Sequence, residues 1–315
     1  MAHLIKLEDC TSRYEHDIQR YASQFTRLKR ERWQQMKRDW KTAKEGGAVS
    51  GTEQNWLDEA ETNFSMTVVW KRLKELFKRQ NGNESQLWNT EGIESVYYKH
   101  KTFEEIKDMF YDDLFRAQLR WASSSFTHES FFRPQYKYDR TLRCLLRTLP
   151  DNYMVLYYPV FMAGKAPIEA DVIVISPTEV YVITLLHGQS TSVFETTSSR
   201  FWYEYVHGER KKRISPMLAL SRMNSIAHNI LQGQDTLGRI NEVVIAPLAM
   251  IDHKAQGTRV KMVDTRNITQ WFDTMKKHPS PIKRIQLITA KRFLDYTRTT
   301  AFDRLNMEDE EEYRP

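Results

Sequence analysis

The spacing of apolar residues changes near residue 130, and this change restricts the possible folds more than any other feature. Before it, apolar and aromatic residues recur at every third or fourth position, which is typical of amphipathic helices. After it, short apolar runs alternate with turns rich in Gly, Pro and Ser, which is typical of strands. The order predicts an α/β protein with a mixed central sheet flanked by helices and a helical N-terminal region.

The first helical pattern extends from Tyr14 to Trp40. Its apolar stripe consists of Tyr14, Ile18, Tyr21, Phe25, Leu28, Trp33, Met36 and Trp40. Basic residues surround the stripe, so it could pack on the rest of the chain, pair with a helix of a protein partner, or lie beside nucleic acid. Packing within the chain is the interpretation we adopt. Further helices are predicted over residues 56–79 and 103–121, with linkers at 46–52 and 81–85.

The second half is predicted to form one sheet with helices. Ser215-Pro216 has an N-cap hydroxyl and a first-turn proline, so a helix is expected from there to Gln232. Other helices are expected at 139–149 and 268–277, and strands at 154–162, 169–175, 179–185, 192–195, 201–206, 242–251, 259–263 and 284–289. We predict a helical region at 1–125, a sheet domain at 126–305 and an acidic tail at 306–315.

Charge and cysteine content limit the class of protein. The 315 residues carry a net charge of +6, and the segment Lys254–Arg298 has eleven Lys or Arg against three Asp. This segment is either an ordinary solvated face or a surface for a phosphate-bearing partner. With only two cysteines and no apolar run near the roughly 20 residues of a membrane helix, we expect a cytoplasmic protein without a membrane partner.

Acidic residues on a predicted hairpin are the first candidates for chemistry. The chain has no Gly-x-x-x-x-Gly-Lys-Ser/Thr loop, no Gly-x-Ser-x-Gly elbow and no His-Glu-x-x-His pair. Residues 167–188 read as two strands joined by a turn, with Glu169 and Asp171 on the first. Two residues apart on one strand, their side chains would share a face, where carboxylates can ligate a hard divalent cation.

In the order of these features, residues 130–265 resemble the NERD (nuclease-related domain) family of the PD-(D/E)XK restriction-endonuclease-like superfamily. The matching features are Asp139 as the early acid, Glu169-Ala170-Asp171 as the acidic strand, Glu179–Ile183 as the second arm, then Trp202, Gly208 and Ser215-Pro216. The resemblance implies a restriction-endonuclease-like core in which Asp139, Glu169 and Asp171 are the catalytic acids. A Mg²⁺ ion would be held by Asp171 and Asp139.

The chain departs from the family pattern where the family has Glu and Lys, because Thr184 and Leu186 stand at these positions. Thr184 offers only a neutral hydroxyl, and Leu186 offers no polar atom. Loss of a general base costs about 10²- to 10⁴-fold in rate, and loss of a charge stabiliser about 10²- to 10³-fold. We therefore expect an impaired nuclease that binds nucleic acid or acts as a scaffold, without a cofactor.

Two alternatives stay open. An active Mg²⁺-dependent DNA or RNA nuclease could use Lys165 or His187 in place of the missing groups, or hold its metal with another carboxylate such as Glu195. In the other alternative, residues 14–40 bind a protein partner and the sheet domain is a passive platform.

Basic and aromatic residues after Ser199 are candidates for nucleic-acid binding. They are Arg200, Trp202, Arg210, Lys211, Lys212 and Arg213. Basic side chains next to aromatic rings suit phosphate contact with base stacking. The alternative is a hairpin whose rings pack against the sheet while its charges are solvated.

Overall fold

The computed structural model describes residues 1–47, 98–164, 166–197, 200–233, 235–252, 259–277 and 280–303. The predicted helix 56–79, the linker 81–85, most of the linker 46–52, Lys165 and the tail 306–315 lie outside the described residues. The chain divides into two compact units. Met1–Ser23 and Gln118–Pro315 form the first, which we call the sheet unit, and Gln24–Ala117 form the second, the helical unit.

Helices predominate in the described chain before residue 150, and strands predominate after it. The strands are β1 (His3–Leu7), β2 (His128–Glu129), β3 (Met154–Tyr157), β4 (Val160–Ala163), β5 (Ala166–Glu169), β6 (Val172–Ile175), β7 (Val180–Leu185), β8 (Val193–Thr196), β9 (Phe201–Val206), β10 (Glu209–Ile214), β11 (Ile240–Ile245), β12 (Met250–Asp252), β13 (Lys261–Val263) and β14 (Phe302–Asp303). The helices are α1 (Arg13–His16), α2 (Ile18–Lys44), α3 (Phe103–Trp121), α4 (Arg140–Thr148), α5 (Pro216–Leu231), α6 (Ile268–Lys276) and α7 (Arg284–Asp295).

The sheet unit is built on a six-stranded mixed sheet with the order β1-β3-β6-β7-β11-β13. The neighbours of β6 run antiparallel to it, whereas β1 is parallel to β3, and β11 is parallel to both β7 and β13. Helix α5 packs on β7 and β11 through buried Leu220, Met223 and Ala227. The predicted α/β class with a mixed central sheet and N-terminal helices is confirmed.

The N-terminal residues belong to the sheet unit. Strand β1 is buried along its whole length and pairs with β3, from His3 opposite Met154 to Leu7 opposite Tyr157. The chain therefore begins with a strand of the central sheet, whereas the sequence indicated a helical region from residue 1. The compact units are accordingly divided at residues 23 and 118, and residue 125 is not a boundary between them.

Three predicted strands are interrupted. The first two, 154–162 and 169–175, pair antiparallel with each other, and their pairing is interrupted by a kink at Tyr158. Tyr158 has a φ of +51° and precedes Pro159. Beyond the kink, β4 and β5 form a separate two-stranded sheet. The third, 242–251, is broken at Pro247, and its second part, β12, joins a four-stranded sheet of order β10-β9-β8-β12.

The predicted strand 284–289 is wrong, since these residues begin α7. The buried residues of this helix are Gln286, Thr289, Ala290, Phe293 and Leu294, which recur at helical spacing. The long N-terminal helix is confirmed apart from a break at Asp17, which separates α1 from α2. None of the helices in the described ranges combines the length and apolar character that crossing a bilayer requires.

Helices α2 and α3 contact each other in the helical unit. The Trp33 ring lies 4.9 Å from that of Phe110 and 5.7 Å from that of Phe103. Arg32 is buried and donates to Asp113 over 2.6 Å. These contacts confirm that the apolar stripe packs within the chain, so a protein partner of residues 14–40 would have to use the polar face.

Candidate functional site

Asp139, the early acid of the family pattern, is the N-cap of α4. Its Oδ1 accepts hydrogen bonds from the backbone N–H groups of Thr141 (2.8 Å) and Leu142 (3.0 Å). Its Oδ2 accepts from the hydroxyl of Tyr157 over 2.8 Å. Burial and the carboxylate of Asp139 raise the pKa of Tyr157, so this hydroxyl stays a donor. Both oxygens of Asp139 thus have partners: Oδ1 caps the start of α4, and Oδ2 accepts from the last residue of β3.

Asp171 lies at the junction between β6 and the kinked part of the ladder. Its carbonyl accepts from the Tyr158 N–H (2.7 Å), and its Oδ2 accepts from the backbone N–H of Leu185 at the end of β7 (2.9 Å). Burial raises the pKa of Asp171, while the Leu185 N–H and His187 act in the opposite direction. The carboxyl group therefore holds the ends of two central strands together.

Glu169 does not share a strand with Asp171. It ends β5 and is exposed, whereas Asp171 is half-buried and precedes β6. The sequence prediction of a single Glu-x-Asp strand is wrong because the ladder kinks at Tyr158 between the two sheets.

The Mg²⁺ ion that the family resemblance implies does not fit the side chains that the structure places at these acids. Across the described ranges, no three His, Cys, Asp or Glu side chains lie together in a way that could hold a metal ion. Asp139 uses its oxygens to cap α4 and to accept from Tyr157, and Asp171 accepts from Leu185. No catalytic step is therefore assigned to a bound metal.

Thr184 and Leu186, at the family Glu and Lys positions, contribute no charge to the site. Thr184 is buried under α5, with its hydroxyl 4.0 Å from the sulfur of Met223. Leu186 is half-buried and continues the pairing with β11, since its N–H donates to Ile245 O over 2.8 Å. An acidic side chain at position 184 would be placed among apolar groups of α5.

The structure brings a histidine to Asp171 through Tyr158. The Tyr158 hydroxyl lies 3.1 Å from Nε2 of His187, which is exposed just after β7. Burial and the neighbouring carboxylates of Asp171 and Asp139 raise the pKa of Tyr158 to about 12. We call Tyr158, Asp171 and His187 the junction site. The sequence points to His187 but not to Tyr158. The left-handed backbone conformation of Tyr158, which positions it here, cannot be predicted from a single sequence.

The other two substitutes that the sequence offers for the missing catalytic groups are Lys165 and Glu195. Lys165 lies outside the described residues. Glu195 is on β8 of the four-stranded sheet, where it accepts from the Tyr205 hydroxyl over 2.9 Å.

Strands β9 and β10 form a hairpin whose two faces differ. The turn at His207-Gly208 has φ values of +49° and +84°, which suits a two-residue hairpin turn. On one face, Phe201, Tyr203 and Tyr205 lie opposite Ile214, Lys212 and Arg210. We call these six residues the aromatic-basic face.

The cations of this face lie over its rings. The Arg210 guanidinium carbon is 3.5 Å from the centre of the Tyr203 ring, and Lys212 Nζ is 3.9 Å from the centre of the Phe201 ring. Arg200 also lies beside Phe201, at 5.5 Å. Within the described part of the chain, neither Arg210 nor Lys212 has an ion pair with a carboxylate. Both are exposed and keep their positive charge available.

Three residues predicted to bind nucleic acid, Trp202, Lys211 and Arg213, lie on the opposite face of the hairpin. Trp202 is only 2% exposed, so its ring cannot stack on a base. Arg213 donates to the buried Glu204 over 2.6 Å, and Ser192 donates to the same carboxylate over 2.7 Å. Although burial alone would raise it, these bonds hold the pKa of Glu204 below its ordinary value. Lys211, also on this face, pairs with Glu209 at 3.4 Å. The two-residue period of β9 could have shown that Trp202 and Tyr203 face opposite sides.

Part of the basic segment 254–298 is neutralised by ion pairs among the described residues. Four of its basic residues lie next to carboxylates, in the pairs Arg266–Asp264, Lys276–Asp273, Lys291–Asp295 and Arg298–Asp9. These pairs favour the interpretation of a solvated face.

Comparison with known proteins gives one partial likeness. The chain is 32% identical over 119 residues to a protein of Geobacillus stearothermophilus described as an RNA 2',3'-cyclic phosphodiesterase. The match covers 38% of this chain and 36% of the relative, so the chain spans about a third of the length of the protein it matches. No protein-family model matches the chain, and no solved structure matches it.

Proposed function

We propose that this chain is a NERD-like protein with a degenerate PD-(D/E)XK site that binds nucleic acid through its phosphates and is impaired as a metal-dependent nuclease. The observation that carries the proposal is the pair Arg210 and Lys212, exposed on one face of a hairpin without ion-pair partners among the described residues. Cations placed in this way attract phosphates at little desolvation cost.

Impaired catalysis is supported by the residues around Asp171. The groups at the family Glu and Lys positions are a hydroxyl buried against Met223 and an apolar side chain. Purified protein incubated with supercoiled and single-stranded DNA in Mg²⁺ or Mn²⁺ should leave both intact. Cleavage that is lost in Asp171→Ala, with the variant still folded, would contradict this expectation.

Phosphate binding is tested by the dependence of affinity on salt. With Arg200, Arg210 and Lys212 as the contacts, the logarithm of the association constant should fall linearly with the logarithm of salt concentration. The slope should be about −2.7 for a duplex and about −2.1 for a single strand. Arg210→Ala should reduce the magnitude of that slope by about one. Lys211→Ala is the matched control, since Lys211 lies on the same strand but on the opposite face. A flat salt response would favour a protein partner instead.

Cleavage of a phosphodiester without a metal is a second candidate function, favoured by the contact between Tyr158 and His187 beside Asp171. The relative's described substrate, a 2',3'-cyclic phosphodiester, belongs to the same chemical class. In ring opening, His187 would accept a proton from water while the water oxygen bonds to phosphorus. One ring P–O bond then breaks, and its oxygen takes the proton back from the imidazolium. Tyr158 is a positioning residue for His187.

A nucleoside 2',3'-cyclic phosphate incubated with the protein in EDTA tests this candidate. Formation of the phosphomonoester should fall about 10²- to 10⁴-fold in His187→Ala, because the base is lost. His228→Ala, which changes an exposed histidine of α5, is the control. No product with the unaltered protein, or equal activity in His187→Ala, would rule the candidate out.

A further inference from the structure

We infer that the aromatic-basic face binds single-stranded nucleic acid, with bases stacking on the Phe201 and Tyr203 positions and phosphates contacting Lys212 and Arg210. The inference rests on the proposed nucleic-acid binding and names its substrate class. It assigns a role to Phe201 and Tyr203 and withdraws the stacking role predicted for Trp202, which is 2% exposed.

The register of the hairpin arranges the rings in a row. Phe201, Tyr203 and Tyr205 alternate along β9 with buried Trp202, Glu204 and Val206. Residues two apart on a strand are separated by about 7 Å, and all three rings leave the same face. The three rings are half-buried, and rings spaced in this way along a strand can provide stacking positions for two or three successive bases through their exposed parts.

The positions of the cations explain how charge and stacking work together. The Arg210 guanidinium carbon lies 3.5 Å from the centre of the Tyr203 ring, so a base that stacks at this position would contact the cation together with the ring. Lys212 Nζ lies 3.9 Å from the centre of the Phe201 ring. Because a cation–π interaction is weak at an exposed site, the lysine can move to a phosphate and uncover the ring.

Charge and base accessibility select the ligand. A single strand carries phosphates for the cations and unpaired bases for the rings. In a duplex the bases are stacked on one another, and only the phosphates are available to this face. The 72% exposed Ile214, opposite Phe201, adds apolar surface that a phosphate backbone alone would not use.

The test measures the affinity of the full chain for a fluorescent 12-nucleotide single strand and for the matching duplex, each as DNA and as RNA. At least one single strand should bind more tightly than its duplex. Phe201→Leu and Tyr203→Leu should each weaken single-strand binding about 5- to 100-fold and leave duplex binding unchanged. Arg210→Ala should weaken both.

Two further variants separate stacking from folding. Tyr203→Phe keeps the ring and should retain single-strand affinity, whereas Phe126→Leu changes a 62% exposed ring outside the hairpin and should have no effect. Circular dichroism and thermal unfolding establish that each variant is folded. The inference is overturned if both duplexes bind as tightly as the single strands or more tightly, and if Phe201→Leu and Tyr203→Leu leave the affinities unchanged. If Arg210→Ala still weakens binding in that case, the proposed function stands. No binding of any oligonucleotide overturns both.

Discussion

Two ionisable side chains, the buried Lys6 and the half-buried Asp171, have structural roles in this protein. Lys6 is fully buried in β1, where it pairs with Glu15 and donates to Thr299 Oγ1 over 2.7 Å. Burial lowers the pKa of Lys6, although Glu15 raises it. In the same way, burial raises the pKa of Asp171, whose carboxylate joins β6 to β7. Burial disfavours the charged form of both groups, and their hydrogen bonds offset part of that cost in the free energy of folding.

Replacing Asp171 with Asn tests this cost. Because the pKa of Asp171 is raised on folding, the folded state binds more protons than the unfolded state above the ordinary pKa of 3.8. The free energy of unfolding therefore falls as pH rises through the raised value. Asn is neutral and keeps an acceptor for the Leu185 N–H, so Asp171→Asn should gain stability relative to the unaltered protein between pH 4 and pH 7, as measured by urea unfolding.

Asp171→Ala is the control for that measurement. It removes the acceptor and leaves the Leu185 N–H without its 2.9 Å partner, which should cost about 1–3 kcal/mol at both pH values. If Asp171→Asn instead lost stability relative to the unaltered protein between pH 4 and pH 7, the folded state would be favouring the charged carboxylate.

Among the secondary-structure elements, those with a local signal could be predicted. Helix α5 begins as expected at Ser215-Pro216, whose hydroxyl accepts from Met217 N at 3.3 Å. Helix α7, by contrast, occupies residues that the sequence predicts as the strand 284–289. Its buried Gln286 donates to the carbonyls of Asn152 and Ile175, 2.6 and 3.1 Å away, which is a long-range contact that no local pattern shows.

The same limit applies to the candidate site. The acids Asp139 and Asp171 were found from the sequence, but their partners Tyr157, Leu185 and Tyr158 were not. Tyr157 ends β3, Tyr158 lies at the kink that follows and Leu185 ends β7, so these contacts depend on which strands pair. The alternation of residues along β9 is visible in the sequence. Which set of its rings is buried depends on the face that carries the buried Phe194 of the adjacent strand β8 and the buried Ile251 of β12, which pairs with β8.

The start of α4 provides a prediction about an element. Asp139→Ala removes the acceptor for the N–H groups of Thr141 and Leu142, and should lower the free energy of unfolding by about 0.5–2 kcal/mol. Asp139→Asn keeps an N-cap acceptor and should cost much less. Urea unfolding of the two variants, beside Ser215→Ala at the start of α5, checks the difference. Equal losses in the Asn and Ala variants would mean that the charge, rather than the cap, is what α4 requires.

The organisation of the full chain follows from where its first strand pairs. The sheet unit is formed from two chain segments, and the helical unit is inserted between residues 23 and 118. The two segments meet inside the sheet unit, where the Tyr21 and Trp121 rings lie 5.7 Å apart and the Gln118 side chain bonds to Leu4 N and Ala2 O. The sequence could not show this, because β1 is short and its apolar residues surround a lysine.

Removing the inserted unit is the corresponding experiment. Replacing residues 24–117 with a short Gly-Ser linker should leave a folded sheet unit with a single cooperative urea transition, because the contacts of Gln118 and Trp121 with the first segment are retained. Deleting residues 1–45 should instead abolish that transition, since it removes β1 from the central sheet. The opposite result would be cooperative unfolding after deletion of residues 1–45 but not after replacement of residues 24–117. It would support the alternative that the N-terminal residues are a separate interaction arm.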